Sequence, residues 1–165
     1  MGNSSECTLA NFLSHLSIDP RGRSSIGKHL SHTIELLKDM DDELHATKKI
    51  AVLIIITGCE STDGNIAGIL KGLEGLPIRI VIRVCSEENQ IIDYWHSISA
   101  QLDLDVDIIS HVKTEAMVMI ENNTWLTYAE PLHCLREFGI AVPAITNLNV
   151  RQLSMHELWS LAIVL

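Results

Sequence analysis

The sequence predicts an α/β fold in three layers: a mainly parallel sheet flanked by helices. Three observations carry this expectation. The run IAVLIIIT, residues 50 to 57, is apolar on both faces and rich in β-branched residues, as in strands covered from both sides. Two further strand-like runs follow it. Between the three lie segments whose apolar residues recur at helical spacing. Strand, helix, strand, helix, strand requires crossover connections, which are right-handed and leave neighbouring strands parallel.

Each element has its own signal. Residues 26 to 46 form an amphipathic helix through Ile26, Leu30, Ile34, Leu37, Met40 and Leu44. Gly58 ends the first strand, and its uninterrupted apolarity predicts the centre of the sheet. Thr62 or Asp63 then caps a helix carrying Ile66, Ile69, Leu70 and Leu73, closed by Gly75, the i, i+3, i+4, i+7 stripe of a core-facing helix. The second strand, IRIVIRV from Ile78 to Val84, alternates, with Arg79 and Arg83 on one face. Ser86 caps a helix from about Glu87, buried through Ile91, Ile92, Trp95 and Ile98. The third strand, Leu104 to Ile109, turns Asp105 and Asp107 outward and reads as an edge. The two arginines and two aspartates are expected on one sheet face, where opposite charges on adjacent strands attract. Downstream, Val112 to Ile120 and Trp125 to Phe138 are helices, the latter started or kinked by Pro131 and closed by Gly139.

One feature does not complete the fold. A central strand needs a neighbour on each edge, and residues 8 to 18 read only as a short helix or irregular segment. Either a weak strand lies near the N-terminus, or another chain pairs with the open edge, because exposed apolar edges otherwise aggregate.

Composition narrows the function. The 165 residues, 47% hydrophobic and 20% charged, suffice for a single domain with a core. Twelve basic against 21 acidic side chains leave a net charge of −9, which argues against nucleic acid and anionic membrane as partners. No apolar run approaches the roughly 20 residues of a membrane span. The start MGNSSEC is no secretory signal, and Glu6 stands where a myristoylation signal has Ser or Thr. The scattered cysteines Cys7, Cys59, Cys85 and Cys134 show no metal or redox spacing, so reduced, mostly buried thiols in a cytoplasmic protein are expected.

From about Gly22 to Gly139 the chain resembles the von Willebrand factor A domains. SSIGKHL is similar to the family's loop that enters a helix with a metal-binding Thr. KKIAVLIIITGCESTDG is similar to its strand ending in Thr-Asp-Gly and followed by Pro-Thr-Asp. GLPIRIVIRVCSEE and WLTYAEPLHCLREFG look like later parts of an intracellular eukaryotic subgroup. The resemblance implies a Rossmann-like, doubly wound domain that binds proteins, usually through a divalent cation. It also implies a division into a segment 1–19 and a domain over 20–165, truncated and degenerate. The family's Asp-x-Ser-x-Ser strand, normally beside IAVLIIIT, occurs nowhere in the chain. The loop Thr falls on Ser24 and the strand-end Asp on Gly58. Ser24 therefore remains as a metal ligand, with Asp63 able to join it only through a rearranged loop. Mg²⁺, the cation such a site would take, prefers six oxygens, so no cofactor is expected.

Other constellations compete. Gly22, Gly27 and Lys28 in GRSSIGKH match a phosphate-binding loop at a helix N-terminus, where backbone N–H groups cradle an anion. His29 replaces the hydroxyl that holds Mg²⁺, and no strand precedes the loop; a Gly-rich turn capped by Ser24 or Ser25 satisfies the same pattern. His29, His32, Glu35 and Asp39 share a helix face and read as solvated. His133, Arg136 and Glu137 read as helical neighbours pairing with each other. Cys59 after the first strand reads as a buried or half-buried spectator. No nucleophile motif stands out. The tail ELWSLAIVL docks on the domain, or offers Ile163 and Leu165 to a partner by strand addition. The expectation is a non-enzymatic protein-binding or assembly module acting through an open sheet edge, toward a protein partner or itself. The alternative is a nucleotide or phosphate binder.

Overall fold

The computed structural model describes residues 24–164. The expected N-terminal segment 1–19, together with Cys7, Gly22 and Leu165, lies outside the described residues.

The chain forms α1 (Ile26–Asp39), α2 (Asp41–Thr47), β1 (Ala51–Thr57), α3 (Ile66–Leu70) with a following turn of 3₁₀ helix, β2 (Ile78–Val84), α4 (Asn89–Ser99), β3 (Asp105–Ile109), α5 (Val112–Asn122), α6 (Glu130–Glu137), α7 (Pro143–Thr146) and α8 (Met155–Val164). The three strands make one parallel sheet in the order β1-β2-β3, with Ala51 opposite Ile78 and Arg79 opposite Asp105. This is the α/β, Rossmann-like arrangement expected, a parallel sheet with helices on both faces.

On one face, here the inner face, Ile55 of β1 and Ile78, Ile80, Ile82 and Val84 of β2 pack against Leu30 and Ile34 of α1, Ile66 and Leu70 of α3, and Trp95 and Ile98 of α4. On the outer face, α6 lies across β2 and β3. Behind it sits a second core built from Met119, Tyr128, Leu132, Ala144, Ile145, Leu148, Leu153 and Leu161. Asn123, fully buried, ties that core to the last third of the chain. Its side-chain amide donates to the carbonyls of Leu148 and Arg151 at 2.9 and 3.1 Å, and its Oδ1 accepts from the Leu153 N–H at 3.0 Å.

Several expectations need correction. The most apolar strand, β1, is an edge strand, and the central strand is β2, which carries the two arginines. Asp107 is not turned to solvent but held under α6 by Arg136. The helix expected over 26–46 breaks at Met40 into α1 and α2. α3 is capped by Asn65, whose Oδ1 accepts from the Gly68 N–H, because Thr62 and Asp63 are used elsewhere. Ser86 accepts from the Glu88 N–H, and α4 starts only at Asn89. α6 starts at Glu130, with Pro131 in its first turn where a missing N–H is harmless. It is followed by Gly139 at φ +75, where a Cβ would stand 2.5 Å from a methyl of Val52. That approach, together with the left-handed backbone, requires glycine.

Candidate functional site

The loop after β1 and the start of α1 meet as the cation and phosphate readings both require, but in a different chemical state. The Thr62 N–H and hydroxyl both donate to the Ser24 carbonyl at 2.9 Å. The Asp63 carboxylate accepts from the Gly27 N–H and the Lys28 N–H at 2.9 Å each, and from the Ser61 hydroxyl at 2.8 Å. These are the N–H groups that would cradle a phosphate, so the chain places its own anion there. α1 is thus capped from a distant loop and not by Ser24 or Ser25; the Ser25 side chain makes no cap bond. Gly27 is required because a Cβ there would lie 2.8 Å from the Asp63 carbonyl oxygen. The Lys28 side chain is exposed, and Gly58 follows β1 without a side chain to offer a cation. Among the described residues no group of three or more His, Cys, Asp or Glu side chains is placed to hold a metal ion.

Burial alone would raise the Asp63 carboxyl. The N–H groups of Gly27 and Lys28 and the Ser61 hydroxyl outweigh it and hold the group below the usual carboxylate value. A depressed carboxyl contributes stability that is present above its unfolded pKa and lost as pH falls through its folded one. Asp63→Asn is therefore expected to melt below the wild type at neutral pH, with the gap closing at acid pH. Thermal melts of both proteins across that range check the sign.

A second cluster is an ionic layer between the outer face and α6. Arg79 pairs with Asp105, and Arg83 with Glu137. Arg136, almost fully buried, meets Asp107 at 2.7 Å and Glu115 of α5 at 2.6 Å. The four strand charges share one face as expected. His133 and Glu137 do approach each other, at 3.3 Å, but Arg136 pairs across the fold and not along its helix. Burial pushes the His133 imidazole below its usual pKa, over the attraction of Glu137, and His133 Nδ1 lies 3.2 Å from the Tyr128 hydroxyl. Three arginines interleave with four carboxylates and the side chains are committed to one another, the pattern of a packing device. His29, His32, Glu35 and Asp39 are solvated along α1. Cys59 and Cys85 are exposed and Cys134 partly buried, a correction to the mostly buried thiols expected.

The third feature is the free edge of β1. Ala51 N–H donates to Pro77, and the Thr57 carbonyl accepts from Cys85 N–H. A strand turns the N–H and C=O of alternate residues to alternate sides, so residues 51, 53, 55 and 57 serve β2. Val52, Ile54 and Ile56 turn theirs to the edge, where no strand pairs with them among the described residues. The same three side chains stand on the outer face, with Gly139 after α6 lying against Val52, and are exposed by 41%, 41% and 72%. Beside them, Ile50, Val52, Pro77, Gly139 and Ala141 line a groove of about 490 Å³. Sequence reasoning anticipated an unpaired edge here but not the bare outer row, since a strand apolar on both faces signals double coverage. At the other end of the chain, α8 docks through Leu161 while Met155, Trp159 and Ile163 stay exposed; its tail is helical, so strand addition there would first have to unwind it.

No helix among the described residues is long and apolar enough to cross a membrane. Comparison with protein-family models, with curated proteins and with solved structures returns no match to this chain.

Proposed function

We propose that the chain is a non-enzymatic, cytoplasmic protein-binding or assembly module that engages a partner strand along the open edge of β1. One observation carries the reading: Val52, Ile54 and Ile56 offer backbone groups that no strand among the described residues pairs with, and exposed apolar side chains, on the same strand. Main-chain bonds supply affinity in strand addition, and alternate side chains supply specificity. The resemblance to von Willebrand factor A domains supports it, since in that family a further strand lies beside the counterpart of β1. In this reading the metal-dependent adhesion site of that family is degenerate, with Ser24 in the place of its loop Thr and Asp63, which could join it only through a rearranged loop, bonded instead to the Gly27 and Lys28 N–H groups; binding needs no cofactor. The net charge of −9 favours a protein partner over nucleic acid or membrane. Phosphate binding through Gly22, Gly27 and Lys28 is the weaker reading, because a phosphate would compete with Asp63 for the same N–H groups.

Affinity capture with the wild type and with Ile56→Lys as baits tests the proposal. A lysine on an edge strand blocks further pairing, and at an exposed position it leaves the fold intact. A partner held by the wild type and lost by the variant is the expected result; equal retention by both rejects the edge as the binding surface.

A further inference from the structure

We propose that the strand received at this edge is β1 of a second copy, paired antiparallel about a two-fold axis at Ile54. The inference rests on the edge-binding reading and adds the occupant and its register.

The edge is complementary to itself. With Ile54 opposite its own counterpart, Val52 of each copy faces Ile56 of the other. In an antiparallel ladder, directly opposite residues that both turn their backbone toward the partner exchange two hydrogen bonds. Val52, Ile54 and Ile56 all turn that way, so this register satisfies every edge-facing N–H and C=O of β1. Shifting it by one residue would set edge-facing groups against groups turned to β2. A two-fold axis perpendicular to the sheet keeps the outer faces of both copies on one side. The exposed side chains of Val52, Ile54 and Ile56 then become cross-strand neighbours of the partner's, the contacts that stabilise a sheet.

Charge supports the same register. Beyond the strand ends, the antiparallel pairing brings the segment before β1 of one copy toward the segment after β1 of the other. Exposed Lys48 and Lys49 precede β1, and partly exposed Glu60 follows it. Two symmetry-related clusters therefore bring lysine to glutamate. A parallel pairing of two copies would instead place lysines beside lysines. The result is one six-stranded sheet with β3 at both ends, a closed dimer and not a growing fibre, because β1 is used up.

Sedimentation velocity over a concentration series, with far-UV circular dichroism on the same samples, tests the proposal on the whole chain. The wild type is expected to dimerise. Ile54→Pro removes an N–H that faces the edge and none that bonds β2, so it is expected to be monomeric with wild-type dichroism. Ile54→Lys is the second variant should the proline disturb the strand. Zero-length carbodiimide coupling reads the register. In one copy Lys48 and Glu60 stand at opposite ends of a seven-residue strand, roughly 20 Å long at about 3.3 Å per residue, so a link between them must join two copies. Such links, absent from the lysine variant, are expected.

A dimer that persists in both folded variants overturns the proposal, as does a dimer linked only through other segments. A wild-type monomer at every concentration also overturns it. If Ile56→Lys still loses a captured partner in that case, edge binding stands and only the homodimer falls. A monomer whose Val52, Ile54 and Ile56 amides resist hydrogen exchange removes both readings, since the edge is then closed within the chain.

Discussion

Arg136→Ala is expected to lower the unfolding free energy by about 3–5 kcal/mol at neutral pH, the cost of stranding a buried ionic partner. Arg136 is almost completely enclosed between α6, β3 and α5. Its Nε and one terminal nitrogen serve Asp107 at 3.2 and 2.7 Å, and the other terminal nitrogen serves Glu115 at 2.6 Å. Truncation leaves Glu115 without a cation and Asp107 with only Arg79, at 3.5 Å. Burial alone would raise Glu115; the Arg136 charge and the Ser110 N–H and hydroxyl outweigh it and hold the carboxyl below its ordinary value. A depressed carboxyl contributes stability present above its unfolded pKa and lost as pH falls through its folded one. The wild type therefore loses this contribution on acidification, whereas the variant has already lost it. Urea titrations at neutral and acid pH should show the difference between the two proteins narrowing as pH falls. Arg136→Lys should recover only part of the loss, because an ammonium cannot pair bidentately with Asp107 while reaching Glu115. A variant as stable as the wild type at neutral pH would mean that the pairs are relieved by water and contribute nothing net.

Asn123→Ala comes next, with an expected loss of about 3 kcal/mol, since each orphaned buried backbone group costs on the order of 1–3 kcal/mol. The side chain satisfies two carbonyls and one N–H between residues 148 and 153, and nothing of alanine's size replaces them. The damage should be local first. α7 and α8 reach the domain through the core that Asn123 anchors, so amide exchange in residues 143–164 should accelerate more than exchange in β2. Uniform acceleration across both regions would place Asn123 in the global core instead.

These two residues also mark where sequence reading succeeds and fails. Strand positions, the inner-face helices and the sharing of one face by Arg79, Arg83, Asp105 and Asp107 were all legible, because periodicity reports which residues lie together. Strand order was not. IAVLIIIT has the composition of a central strand and lies at the edge, while IRIVIRV has two arginines and lies in the middle. Burial of Arg79 is made tolerable by carboxylates on a neighbouring strand, and the charges beside it are balanced from α5 and α6. No local pattern reveals partners that arrive from 26 to 54 residues away. The same holds for the loop site. Gly27, Lys28 and Asp63 were each singled out, yet their joint role as a capped helix entry depends on a contact that spacing along one segment cannot show. The buried role of Asn123 left no trace in composition or periodicity.

The Asp63 clamp has a consequence for the order in which the chain assembles. A cap supplied by Ser25 would be local and would form with the first turn of α1. The one observed closes a loop of 36 residues, and closing a loop carries an entropic cost that must be met before the contact returns anything. That loop contains α1, α2 and the whole of β1, so the clamp engages only once β1 has docked and set the following turn in place. The entry of α1 is therefore completed late, from its C-terminal end toward Gly27. Reversal follows the same path, with the first turn of this helix released before the sheet beneath it opens.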